Sequence, residues 1–212
     1  MKKQAIEYKK KIYYNRFFIF FGKLAAPLIF KVLKTKLVNV TGDIPKKGPL
    51  LIAAHHEELA DQYIIGSQIK RRLFWVADTT PFGKCLADTH FAKWFMLRWG
   101  AISIDKNNSY RNVNLFEHLL WLLEKGEAIV FFPEAYVKSE RGNKRFGKFK
   151  TGVVRLALEY EKKFKKKVPI YPIGIRYKKD KIKEAEMTIG NKIYVKNMKD
   201  SRKVFDEIKR LS

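Results

Sequence analysis

The residues whose types could do chemistry together lie in one short stretch, His55-His56-Glu57-Glu58-Leu59-Ala60-Asp61. His56 and Asp61 are five positions apart. That is too far for successive turns of one helix face, but it suits a strand end followed by a helix start, where the carboxylate folds back onto the imidazole. A neutral imidazole held through one nitrogen by a carboxylate is a general base for a hydroxyl. The carboxylate fixes the tautomer and stabilises the imidazolium that forms. No Ser, Thr or Cys lies inside the stretch to act as a nucleophile, so the activated hydroxyl belongs to a substrate or to water. The plainer reading is an accidental pair in which Asp61 complements the positive end of a helix. His55, His56, Glu57, Glu58 and Asp61 are also possible metal ligands. Adjacent residues on a strand end point in opposite directions, however, and the paired ligand spacings of zinc or di-iron helices are absent, so no metal is expected.

The elements that must position this cluster follow from the pattern around it. Gly48 and Pro49 bound an apolar run over 50–54 that reads as a buried strand, and a helix is predicted over 59–69. Further strands are expected over 36–40, 73–77 and 101–104, the last ending at Asp105 and Lys106. Residues 79–99 read as helices with a connecting loop. A helix over 109–125 carries His118, read as a satisfied half-buried residue, and stops at Gly126. A strand over 128–132 ends at Pro133 and Glu134, and a helix is predicted over 151–164. Residues 168–175 are apolar and extended, but Pro169 and Pro172 argue that part of the segment is an edge or a bulge. Residues 187–195 suggest two strands around Gly190-Asn191, and Asp200 is a candidate cap for a last helix to Leu211. This alternation predicts an α/β fold: a single domain with a mixed, mostly parallel sheet flanked by helices.

With 212 residues and 46% apolar side chains the chain is long and apolar enough to bury a core. Its formal charge of +24 implies an anionic partner, whether nucleic acid, membrane surface or acidic small molecule. Cys85 is the only cysteine, so no intrachain disulfide forms and a reducing compartment is expected. Lys-rich residues 2–16, interleaved with Tyr8, Tyr13 and Tyr14, lead into an apolar and aromatic run over 17–33 that Lys23 and Lys31 interrupt. That run is short and charged for a spanning helix, and no small-residue cleavage site follows it. Residues 1–35 therefore read as an N-terminal amphipathic helical segment lying in a membrane interface, ahead of a domain over 36–212. A core-packed amphipathic helix is the alternative. From 136 to 150 the chain is basic, with Lys138, Arg141, Lys144, Arg145, Lys148 and Lys150 punctuated by Gly142 and Gly147. Such a loop can collect phosphates, or it can be a solvated surface.

Four stretches in order resemble the glycerolipid acyltransferase family that includes 1-acylglycerol-3-phosphate acyltransferases. His56 and Asp61 match its His-x4-Asp motif, and Gly100-Ala101-Ile102-Ser103-Ile104-Asp105-Lys106 is similar to Gly-x-Ile-Phe-Ile-Asp-Arg. Phe132-Pro133-Glu134 resembles the start of Phe-Pro-Glu-Gly-Thr-Arg-Ser, followed by Phe149-Lys150-Thr151-Gly152. Val168-Pro169-Ile170-Tyr171-Pro172-Ile173 is similar to the Pro-centred fourth motif. The resemblance spans about residues 36 to 176. It implies direct transfer of a fatty acyl group from a coenzyme A or acyl carrier protein thioester to a lysolipid hydroxyl, with no acyl-enzyme and no cofactor beyond the thioester co-substrate. It further implies His56 and Asp61 as catalytic residues, and Glu134, Lys106, Lys138, Arg141 and Lys150 around the substrate. Anionic membrane lipids are the implied partner, and the cytoplasmic face of a membrane, peripheral or monotopic, is the implied location. The chain departs from the family pattern at His55, where Asn is usual, and at Glu58, where Ser or Thr is usual. Ala135-Tyr136-Val137 stands in place of Gly-Thr-Arg, and Lys106 in place of Arg. Lys138 or Arg141 could replace the missing Arg. Alternatively, Glu57 and Glu58 could suit an amine-bearing or sugar-bearing headgroup. A non-catalytic basic protein that binds membrane or nucleic acid is the competing class, although no nucleic-acid motif is present.

Overall fold

The five residues Leu50–Ala54 show no polar alternation because both faces of the strand they form, β2, are covered, and all five are buried. The computed structural model describes Leu24, Pro27, Leu28 and residues 30–58, 60–78, 98–104, 115–134, 142, 144–178 and 182–212. Among these, seven strands form one sheet: β1 (Thr35–Thr41), β2, β3 (Leu73–Asp78), β4 (Ala101–Ile104), β5 (Ala128–Phe131), β6 (Ile170–Lys178) and β7 (Lys183–Ile189). Their order is β1-β7-β6-β2-β5-β3-β4. The run β6, β2, β5, β3, β4 is parallel throughout. β7 is antiparallel to β6, and β1 is parallel to β7, so the last two strands at that edge run the other way. The result is the expected single α/β domain with a mixed, mostly parallel sheet.

Helices α1 (Asp61–Gln68), α2 (Leu115–Glu124), α3 (Gly152–Phe164) and α4 (Ser201–Leu211) cover the sheet. Strand alternation divides the core between its two faces. Leu50, Ile52 and Ala54 pack with Ile64 and Ile65 of α1, whereas Leu51 and Ala53 pack with α2, α3 and α4 through Leu119, Leu156 and Ile208. Phe30 and Leu33 pack against the α1 side. Leu24, Leu28 and Val32, helical residues four positions apart, are instead 67%, 66% and 73% exposed. Among the described residues no helix is long and apolar enough to cross a membrane. At the amino ends of the parallel strands, Arg71 donates to the carbonyls of Pro45 (2.7 Å), Gly48 (2.8 Å) and Gly126 (2.9 Å). One guanidinium thus ties together the loops that enter β2 and β5 and helps to align those strands.

Three local expectations change in the structure. The proline-containing segment is neither edge nor bulge, because β6 lies inside the sheet between β7 and β2. Pro172 is tolerated there because its backbone faces β7 just beyond the β7 ladder, which ends at the Ile173–Ile189 pair. At that point only an acceptor is needed, and the Pro172 carbonyl receives the Gly190 N–H at 2.9 Å. Residues 187–195 do not form a hairpin either. β7 pairs with β6, and after a break Ile193 bridges Ile170 of the same strand. Asp200 stands at the N-terminus of α4, but its carboxylate reaches back to the Lys196 N–H at 2.7 Å and the Asn197 N–H at 3.3 Å. Asn197 caps the preceding 3₁₀ turn in a reciprocal capping box. Residues 79–97 of the segment read as helices with a connecting loop, Cys85 among them, residues 109–114 and most of the N-terminal segment lie outside the described residues. His118 is buried beside Trp121, and burial pushes its imidazole below the usual range.

α4 approaches the sheet closely at Gly174 of β6, where a Cβ would sit 2.3 Å from the Leu211 carbonyl carbon. Backbone against backbone cannot yield as a side chain can. Gly174→Ala should therefore destabilise the fold by about 1–3 kcal/mol, read as a lower urea midpoint at unchanged slope. An unshifted midpoint would show that α4 does not dock as closely as described.

Candidate active site

β2 and β5 are parallel neighbours in register from Leu50–Ala128 to Ala53–Phe131, so they end at the same level. The chain leaving each strand places His55-His56 beside Pro133-Glu134, outside the carboxyl ends of central parallel strands. Open α/β sheets bind ligands at this position.

His56 and Asp61 meet as expected, with Nδ1 of the imidazole 3.0 Å from Oδ2 of the carboxylate. Asp61, fully buried at the first turn of α1, collects three further donors. The backbone N–H groups of Glu57 (2.7 Å) and Glu58 (2.9 Å) donate to Oδ2, and the Tyr177 hydroxyl donates to Oδ1. The carboxylate therefore shapes the loop between β2 and α1 as well as orienting the His56 imidazole. With Nδ1–H donating to Asp61, the lone pair able to take a proton is on Nε2. The Phe132 ring stacks on His56 with centroids 4.1 Å apart and fixes its plane. Burial, reinforced by the Asp61 charge and hydrogen bond, pushes the Tyr177 phenol far above its usual range, so it remains a donor at any working pH. Because the Glu57 and Glu58 N–H groups point at Asp61, they are not the donors that would receive an oxyanion.

His55 points away from His56, as successive residues at a strand end must. Its fully buried ring places Nδ1 2.6 Å from Oε1 of Glu134, and the other Glu134 oxygen accepts the Gly147 N–H at 2.7 Å. Nε2 of His55 faces Oε2 of Glu57 at 3.6 Å. Glu58 pairs with Lys183 at 2.8 Å. Lys150 donates its backbone N–H to the Pro133 carbonyl at 2.8 Å, which holds the basic loop against the end of β5 with its own side chain exposed. Lys106, Lys138 and Arg141 lie outside the described residues. β4, the strand that precedes Lys106, is the sheet edge, three places from β2. Among the described residues no group of three or more His, Cys, Asp or Glu side chains is arranged to hold a metal ion.

Sequence reasoning did not find Tyr177 or the bond between His55 and Glu134. A partial signal existed for the tyrosine, since Tyr171, Ile173, Ile175 and Tyr177 alternate along β6 and all pack on the α1 side. No sequence signal identifies the partner of His55, because Glu134 is 79 positions away.

A family model described as Acyltransferase matches residues 37–176. This span holds His56, Asp61, Glu134 and Lys150 and stops one residue before Tyr177. No curated protein matches the sequence. Among solved structures, the chain is similar to the crystal structure of the 1-acyl-sn-glycerophosphate (LPA) acyltransferase, PlsC, from Thermotoga maritima. The two share 17% sequence identity over 91% of this chain and 77% of that one, with a TM-score of 0.66. At that identity the likeness is one of fold.

Tyr177→Phe leaves one oxygen of a buried carboxylate without its donor. It should slow the His56-dependent reaction roughly tenfold while the fold persists. A variant with the full rate would remove Tyr177 from the support of Asp61.

Proposed function

From the premise that this chain belongs to the acyltransferase family, we propose that it moves a fatty acyl group from an acyl thioester to the hydroxyl of a lysolipid, with His56 as general base. The observation that carries this reading is the His56–Asp61 pair at the end of β2, held by Tyr177 and two backbone N–H groups. In the proposed step the acceptor oxygen attacks the thioester carbonyl while Nε2 of His56 takes its proton. The tetrahedral oxyanion collapses by breaking the C–S bond, and the imidazolium returns the proton to the departing thiolate. Ester and free thiol are the products, and no bond to the protein forms. The donor is an acyl-coenzyme A or an acyl carrier protein thioester, used as co-substrate.

The acceptor we favour is lysophosphatidate or a related lysophospholipid, the substrate named for the structurally similar PlsC. Two features support an anionic headgroup. Lys144, Lys148 and Lys150 are exposed in the loop that Pro133 and Glu134 anchor. The pairing of Glu58 with Lys183 also argues against Glu58 as a seat for an amine-bearing headgroup. Lys106, Lys138 and Arg141 are proposed to complete the charge that the absent Arg of the third motif would supply. Residues 1–35 are proposed to lie on the cytoplasmic face of a membrane rich in anionic lipid. There the lipid acceptor would be drawn from the bilayer without the protein spanning it. The exposed stripe of Leu24, Leu28 and Val32, opposed by Phe30 and Leu33 packed on the domain, supports this placement.

Thiol release from acyl-coenzyme A and acyl carrier protein donors, measured with a panel of lysolipids, tests the reaction. Acceptor-dependent release is expected, falling roughly 10²–10⁴-fold in His56→Ala and strongly in Asp61→Asn. Wild-type release by His56→Ala would refute the mechanism. For the membrane contact, the combined Leu24→Asp, Leu28→Asp and Val32→Asp protein should co-sediment with anionic liposomes at least tenfold more weakly. Equal sedimentation would place the contact elsewhere.

A further inference from the structure

His55 differs from the residue usual at its position and is not needed for the proton transfer assigned to His56, yet it is fully buried between two carboxylates. We propose that His55 is a positioning residue: a strut that locks the basic loop to the strand bearing the base, and so sets how the anionic acceptor is held. This role rests on the reaction proposed above, but the strut itself is a geometric statement.

The connection runs through specific atoms. Nδ1 of His55 meets Oε1 of Glu134 at 2.6 Å, and Oε2 of Glu134 accepts the Gly147 N–H at 2.7 Å. Three residues on, the Lys150 N–H donates to the Pro133 carbonyl at 2.8 Å, so the loop is fixed to the β5 end at two points. Phe146 lies 5.0 Å from the His55 ring and also meets Phe205 of α4 edge-on at 6.3 Å. These contacts close the pocket around the strut against water. In the other direction, Nε2 of His55 faces Glu57 at 3.6 Å, and the Glu57 N–H donates to Asp61 at 2.7 Å. The imidazole thus bonds Glu134 through Nδ1 and keeps Nε2 near Glu57 without a hydrogen bond to it. Buried polar side chains joined in this way fix geometry more than they add net stability. The exposed loop lysines Lys144, Lys148 and Lys150 are the groups whose position depends on the strut.

The test uses the full chain with His55→Asn and Glu134→Gln. If the strut operates, amide hydrogen exchange at Gly147 should quicken about tenfold in both variants, while the thermal midpoint stays within a few degrees of wild type. The KM for a lysophospholipid acceptor should rise about tenfold, with the donor KM unchanged and kcat within about threefold. Unchanged Gly147 protection would overturn the strut. Faster exchange with an unchanged acceptor KM would overturn its role in acceptor binding, and a fall in kcat at constant KM would place His55 in the chemistry instead. Should His55→Asn fail to fold, Glu134→Gln carries the same comparison. Turnover absent from wild type with every acceptor would refute the proposed reaction, whereas the exchange result would still decide the strut.

Discussion

The Asp61 carboxylate is the constraint on which the rest of the site depends. An ionised carboxylate at full burial loses several kcal/mol of hydration, and its environment must return this as hydrogen bonds to the charged form. Here the donors come from three places: His56 at the end of β2, the loop N–H groups of Glu57 and Glu58, and Tyr177 on β6. Satisfying one charge therefore fixes the exit from β2, the start of α1 and the far part of β6 in a single arrangement. The orientation of the His56 ring therefore follows from folding.

The sheet makes that arrangement possible. β2 is buried on both faces and flanked by parallel neighbours, so its end is rigid and opens toward one side of the molecule. Reversal of β7 and β1 sets an antiparallel ladder against the outer part of β6. That ladder extends β6 beyond the end of β2, far enough for Tyr177 to reach the first turn of α1. Arg71 at the opposite end ties the loops entering β2 and β5. His55-His56 and Pro133-Glu134 consequently emerge side by side.

Two adjacent histidines then serve two different connections. His56 turns toward Asp61, and His55 turns toward Glu134 and the loop fastened by Gly147. One dipeptide is thus the common reference for the His56–Asp61 pair and for the loop that carries exposed basic side chains. The high positive charge of the chain acts on a different scale. Beyond about 8 Å at physiological ionic strength it is screened, so it does not set the geometry of these contacts.

The sequence by itself determined the layer plan and the pairing of His56 with Asp61. Runs such as 50–54 and 128–132 are apolar throughout because strands covered on both faces need no polar side. The spacing of His56 and Asp61 is a local property of a strand end and a helix start, so it was legible without the rest of the molecule. Tertiary structure decided whatever depends on partners distant in sequence. Pro172 suggested an edge strand, but its position just past the β7 ladder removes the need for its missing N–H. Gly190-Asn191 suggested a hairpin, but the flanking segments both pair with β6 instead, one as a ladder and one through a single bridge. Asp200 suggested a forward cap, but its carboxylate takes the Lys196 and Asn197 N–H groups behind it and meets the Lys203 side chain ahead. Tyr177 lies 116 positions from Asp61, and Glu134 lies 79 from His55. Hydrogen bonds of that range are fixed by which strands become neighbours, which is set by the burial of the whole sheet and written in no single stretch of the chain.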